Sequence, residues 1–216
     1  MDTTSPGVAD DPVEATEVPG SHTSWKRFAL FSIPASVAVG GILIAMAQGA
    51  LAASFTVSGQ DFKISADKLD GEGFVQYGWL DQTVREEAVP VAVAGIRHAE
   101  IEGLCQSVLT EFPIIGKISL ELTAGDQGTP VIAENLVIDM SQMDGNAEFK
   151  NMEIGRDAGT LDQGPEGAKG FNDLFGMQSD TIVVEDLEQT ARAASAGTFR
   201  LSGLSLGISL GESECF

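Results

Sequence analysis

Positive charge is scarce in this chain: 12 Lys and Arg stand against 32 Asp and Glu, a formal net charge of −20. A surface that negative repels phosphate backbones, which argues against nucleic acid as a partner. Histidine is rarer still, present only as His22 and His98, and cysteine only as Cys105 and Cys215. Two thiols and two distant imidazoles cannot build a Cys/His zinc cage, so no metal centre and no cofactor is expected. Aromatic residues are limited to 11 Phe, 2 Trp and 1 Tyr. Any core must therefore rest on Val, Ile, Leu and Ala, which the 43% hydrophobic content supplies.

What is present is unevenly distributed. Residues 1–27 open with an acidic stretch rich in Pro, Ser and Thr that lacks apolar periodicity, and they end in Trp25-Lys26-Arg27. Such a composition buries too little surface to offset its ordering entropy and reads as a disordered tail. From Phe28 to Ala53 there follow 26 residues without a charge, more than the roughly 20 needed to cross the hydrocarbon core. The basic pair precedes this run and the next Lys or Arg is Lys63. The positive-inside bias then places residues 1–27 in the cytoplasm, residues 28–53 across the membrane, and residues 54–216 outside. Ala50-Leu51-Ala52 also fits a signal-peptidase site, so secretion after cleavage near Ala52 is the alternative. Outside the cytoplasm the even cysteine pair reads as one disulfide, Cys105–Cys215, closing a loop of roughly 110 residues. Two buried free thiols are the alternative if the chain stays inside.

Beyond Phe55 the texture has period two. Phe62, Ile64 and Ala66 alternate with polar neighbours, as do stretches of Val89–Ile96, Ala99–Leu104, Ile118–Leu122, Val131–Ile138 and Phe199–Leu210. Asp70-Gly71, Ala124-Gly125-Asp126, Asp144-Gly145-Asn146 and Gly164-Pro165 punctuate these runs as turn signals. Eight to ten short strands fit, in a mainly β domain: an antiparallel sandwich or a curved half-open sheet behind one transmembrane helix. Gly170–Met177 reads as one turn or a short helix, Gly155–Gly170 as a long loop, and Asp186–Ala196 fits either helix or strand.

Several residues invite a chemical reading. Gly203-Leu204-Ser205-Leu206-Gly207 overlaps Gly207-Ile208-Ser209-Leu210-Gly211, two G-x-S-x-G matches. A nucleophile elbow needs a following helix and a downstream His, and neither is available here. His98, beside Arg97 and Glu100, is a weak general-base candidate. Asp67, Asp70 and Glu72, and separately Asp139, Asp144, Asn146 and Glu148, offer oxygens near Gly-rich turns, but neither set has the EF-hand spacing. No catalytic residue is assigned.

Four stretches carry a resemblance: FKISADKLDGEGFVQYG, AEIEGLCQSV, ENLVIDMSQMDGNAEFKNMEIGRDAGTL and AGTFRLSGLSLGISLGESEC. With the basic-then-apolar N-terminus they resemble an actinobacterial family of unknown function. Its members are single-anchor exported proteins, some labelled cholesterol esterase, and are commonly encoded beside a small multi-pass membrane protein. The resemblance implies a cell-envelope location and supplies no catalytic residues. An esterase would need a Ser-His-acid set that this sequence does not provide. The expectation is thus a non-enzymatic envelope protein that binds a lipid-like ligand or a membrane-protein partner. A structural or assembly subunit is the second reading, and a lipid or sterol ester hydrolase the third.

Overall fold

A computed structural model describes residues 60–83, 88–126 and 128–216. The expected tail, the apolar run Phe28–Ala53 with its cleavage site, and a first strand at Phe55–Val57 lie outside them. Among the described residues no helix is long and apolar enough to cross a membrane.

The described chain is built from nine strands: β1 Phe62–Gln82, β2 Ala88–Glu102, β3 Leu104–Phe112, β4 Gly116–Ala124, β5 Val131–Lys150, β6 Glu153–Asp157, β7 Phe175–Ser195, β8 Thr198–Arg200 and β9 Ser205–Leu210. All pair antiparallel, as the alternation implies, in one curved sheet ordered β6-β7-β5-β2-β1-β3-β4-β9, with β8 beside β5. A further pairing decides the shape. β7 bonds β5 along one side and β1 along the other, so β1, β2, β5 and β7 close into a ring. β3, β4 and β9 extend from β1 as an open flap.

Closure needs long, coiling strands. β1, β5 and β7 run for 21, 20 and 21 residues, three to four times the usual strand length of about 5–6 residues. Two turn signals are consequently not turns. Asp70-Gly71 lies inside β1 and Asp144-Gly145-Asn146 inside β5. Gly71 faces the ring interior, where an added Cβ would lie 2.9 Å from methyl groups of both Ile182 and Ile96. Its missing side chain lets the walls approach. At Gly73 (φ +71°) the β1–β2 ladder skips from Glu72↔His98 to Phe74↔Ile96. This irregularity sends Phe74 into the ring while Val75 and Tyr77 face the other side. Gly125-Asp126, directly after the end of β4 at Ala124, and Gly164-Pro165 do lie outside the strands.

Of the one turn or short helix expected at Gly170–Met177, no helix forms: residues 172–173 turn and β7 begins at Phe175. Asp186–Ala196 is strand up to Ser195, because its inward side chains Leu187, Gln189, Ala191 and Ala193 are all buried. Phe199–Leu210 is two strands, β8 and β9, separated by a turn. The loop expected at Gly155–Gly170 holds the end of β6, a 3-10 turn at Ala158–Thr160 and an irregular strap.

Two apolar clusters result. The larger fills the ring, with Phe74, Ile96, Ala99, Val131, Ala133, Ile182 and Val184 buried. The smaller forms on the outer face, where Ala158, Leu161 and Ala168 of the strap cover Val75, Tyr77, Val91 and Val93. Phe171 stacks on Trp79 at 4.4 Å between ring centroids, adding dispersion and quadrupole attraction to that cover.

Candidate functional site

The ring is not filled throughout. A cavity of about 410 Å³ lies where β1 and β5 begin and β2 and β7 end. Ile64, Leu69, Ile101, Leu104, Leu136 and Leu187 form its buried wall, all at 8% exposure or less. Phe199, 44% exposed, lies towards the solvent side. The wall arises because inward positions of β1, β2, β3, β5 and β7 each bring an Ile or Leu to this end of the ring. The volume falls in the range of about 300–1,000 Å³ typical of small-molecule sites.

Three long polar side chains join this lining: Gln106, Gln189 and Arg192. Gln106 on β3, Ile64 on β1 and Gln189 on β7 are direct cross-strand partners, so they form one row across three strands. Gln189 is 3% exposed and its Nε2 meets no hydrogen-bond partner. Arg192 is the extra residue of a β-bulge, because Ala191 and Ala193 face consecutive residues Met140 and Asp139 of β5. Its guanidinium pairs with Asp61 (Nη1–Oδ1 3.3 Å), and its buried Nε is unpartnered.

A second group of titrating residues lies near this bulge. Burial pushes the Asp139 carboxyl up to about 6, and the neighbouring Asp81 carboxylate adds to the shift. Asp81 is itself raised by burial, which the Arg192 charge partly opposes. Tyr77 is pushed up to about 12 by burial and then by Asp139.

The remaining sequence candidates are dispersed. Cys105 and Cys215 are joined in a disulfide, with a Cα–Cα distance of 5.8 Å. It fastens the C-terminal tail over the flap. There Ser119 Oγ donates to Gly211 O (2.9 Å) and accepts from Ser213 N (2.8 Å), and Ser107 Oγ accepts from Cys215 N (3.0 Å). Lys63 of β1 completes the clasp, with Nζ 3.2 Å from Glu214. Ser205 and Ser209 are exposed on β9, opposite Thr123 and Ser119 of β4. His98 sits on β2, which β1, β3 and β4 separate from β9 in the sheet. Its Nδ1 lies 2.8 Å from Glu134, whose hydrogen bond raises the imidazole pKa despite an opposing desolvation effect. No Ser-His-acid set is assembled from these residues.

The carboxylate sets do not converge either. Asp67 packs against Gly103, Asp70 pairs with Lys68 at 3.2 Å, and Glu72 lies opposite His98. Asp144 accepts from Gln142 Nε2 (2.6 Å), Asn146 donates to Asp186 (3.2 Å), and Glu148 pairs across to Val183. Among the described residues no group of three or more His, Cys, Asp or Glu could hold a metal ion. The cavity residues escaped sequence reasoning because they look like ordinary strand residues. The one available signal was a Gln at an inward position between Leu187 and Ala191.

Residues 58–216 match the model of a family of unknown function, DUF6230, and the chain belongs to that family. No curated protein and no solved structure matches it.

Proposed function

We propose that this DUF6230 member is a non-enzymatic, membrane-anchored protein of the cell envelope that holds a lipid-like ligand inside its β-ring. The supporting observation is the cavity of about 410 Å³ with its wall of buried Ile and Leu side chains. An alkyl chain entering it would replace water, or emptiness, with close-packed contacts, at about 25 cal/mol per Å² of apolar surface removed from water. The anchor is the uncharged run Phe28–Ala53, behind a basic pair that favours a cytoplasmic N-terminus. The acidic surface is then carried outside. Native mass spectrometry of the full chain in mild detergent tests the reading. A discrete copurified lipid, lost when Leu136 is replaced by Trp to fill the cavity, is the expected result. Delipidated protein that takes up no acyl probe would sink it.

A second reading, a subunit of an envelope assembly, is favoured by the flap. β9 is an edge strand with every residue exposed, and Leu206, Ile208 and Leu210 share one face with Leu122, Leu120 and Ile118 of β4. Exposed apolar edges commonly meet a partner. Crosslinking in intact membranes should then capture a defined complex that Ile208→Lys abolishes. An unchanged monomer in both proteins would count against it.

A further inference from the structure

The cavity contains a polar group that the fold leaves unused, and its chemistry narrows the ligand. β7 carries two deeply buried glutamines, Gln178 at 2% and Gln189 at 3% exposure. Gln178 is well satisfied: its Nε2 donates to Glu153 (2.8 Å) and Asp162 (2.9 Å), and its Oε1 accepts from Asp162 N (3.0 Å). Gln189 has no such partner for its Nε2, although it stands in a mainly aliphatic wall whose other long polar side chains are Gln106 and Arg192. A buried amide left unpaired is costly, and an apolar residue of similar shape would be cheaper there. One strand thus meets the demand of a buried glutamine at one end and leaves it open at the other, where the side chain lines a cavity.

We infer that Gln189 is the polar anchor of this cavity and selects an uncharged lipid bearing one oxygen, an ester carbonyl or a hydroxyl. The inference rests on the ligand reading above and specifies its chemistry. The amide N–H reaches an acceptor oxygen of either kind, and its carbonyl can also accept from a hydroxyl. An ionised carboxylate fits worse. The cation in the same wall, Arg192, keeps an unpartnered donor at its buried Nε, but its charge is already paired with Asp61, so a second anion beside the neutral amide would be desolvated without a counter-charge of its own. The apolar wall and its one fully buried, unpartnered amide, with the half-buried Gln106 beside it across Ile64, together describe a ligand with a long alkyl body and one weakly polar point.

Four probes of equal chain length separate the possibilities: dodecane, 1-dodecanol, methyl dodecanoate and sodium dodecanoate. They are measured by displacement of tritiated dodecanol from the full-length protein at fixed detergent concentration. Partition into micelles is the same for wild type and variant, so the ratio between proteins isolates the contribution of Gln189. Wild type should bind the alcohol and the ester more tightly than either the alkane or the carboxylate. Gln189→Leu should lose about two- to tenfold in affinity for alcohol and ester, the range of one net hydrogen bond, while retaining dodecane. Gln189→Met serves the same purpose if the leucine variant does not fold. The inference is overturned if either folded variant keeps the preference of wild type over dodecane, or if wild type prefers dodecanoate. Failure of wild type to bind any of the four overturns the ligand reading itself, and this inference with it.

Discussion

The ring and the flap are made from the same kind of strand and meet opposite fates. In the ring, β1, β2, β5 and β7 each have a partner on both sides over part of their length, and their inward aliphatic residues are buried. In the flap, β9 bonds only β4, and Leu206, Ile208 and Leu210 are 62%, 74% and 78% exposed. Closure, rather than hydrophobicity, separates the two. A sheet that returns on itself turns one face into an interior and removes its edges. A sheet that stops leaves the same side chains in solvent and needs fastening from elsewhere. Here the fastening is the tail: a disulfide, two buried serines and the Lys63–Glu214 ion pair.

The sharpest way to break this contrast is inside the ring. Phe74→Ala removes a ring that is 1% exposed and touches Phe149 at 5.5 Å between centroids. It should cost about 3–5 kcal/mol, read from urea unfolding midpoints. Next comes the fastening. Cys215→Ser opens the Cys105 bridge and should cost about 2–4 kcal/mol. The loss should be accompanied by faster amide exchange in β4 and β9 than in β5 and β7. Equal exchange across both regions would erase the distinction between them.

A smaller effect is expected where the ring carries its raised carboxyl. The folded Asp139 holds its proton up to pH about 6, against an ordinary value of 3.8. The native state therefore binds more protons than the unfolded state between those limits, and stability falls as pH rises through that window. Asp139→Asn should flatten the slope between pH 4 and 6. At pH 7 it should add about 1–2 kcal/mol, a figure reduced for the group's partial exposure. Unfolding midpoints across pH 4–7 check this. Smallest of all should be Ile208→Ser on the flap, within about 0.5 kcal/mol of wild type in the isolated chain. A larger loss would mean that the exposed face is covered.

Period-two alternation was enough to reveal the strand class, and export logic paired Cys105 with Cys215. Strand length was not legible. Asp70-Gly71 and Asp144-Gly145-Asn146 have the chemistry of hairpin turns, yet here they lie within long strands that bend around a ring. Local propensity cannot distinguish a turn from an irregularity within a coiling strand, because Gly and Asn serve both. β7 was obscured by Ala, Glu, Gln and Arg, residues that favour helix unless a neighbouring strand on each side claims the backbone. The cavity was hidden for a related reason. A void is a property of facing walls, and no single strand records the width of the gap.

The place of β7 in the ring also sets an order of events in time. Its partners on β1 are remote in sequence: Phe62 meets Ala191, and Tyr77 meets Gly176. Contacts of such high sequence separation form slowly, because chain entropy must be lost before they return any free energy. During synthesis β1 and β2 can pair early as a hairpin, but the ring cannot close until the residues of β7 have been made. The inner aliphatic faces of β1, β2 and β5 must therefore wait unclosed, exposed to other nascent chains or to lipid. For this molecule the hazardous interval in folding comes just before β7 arrives, and it is then that a chaperone or a hydrophobic ligand would find the most surface to hold.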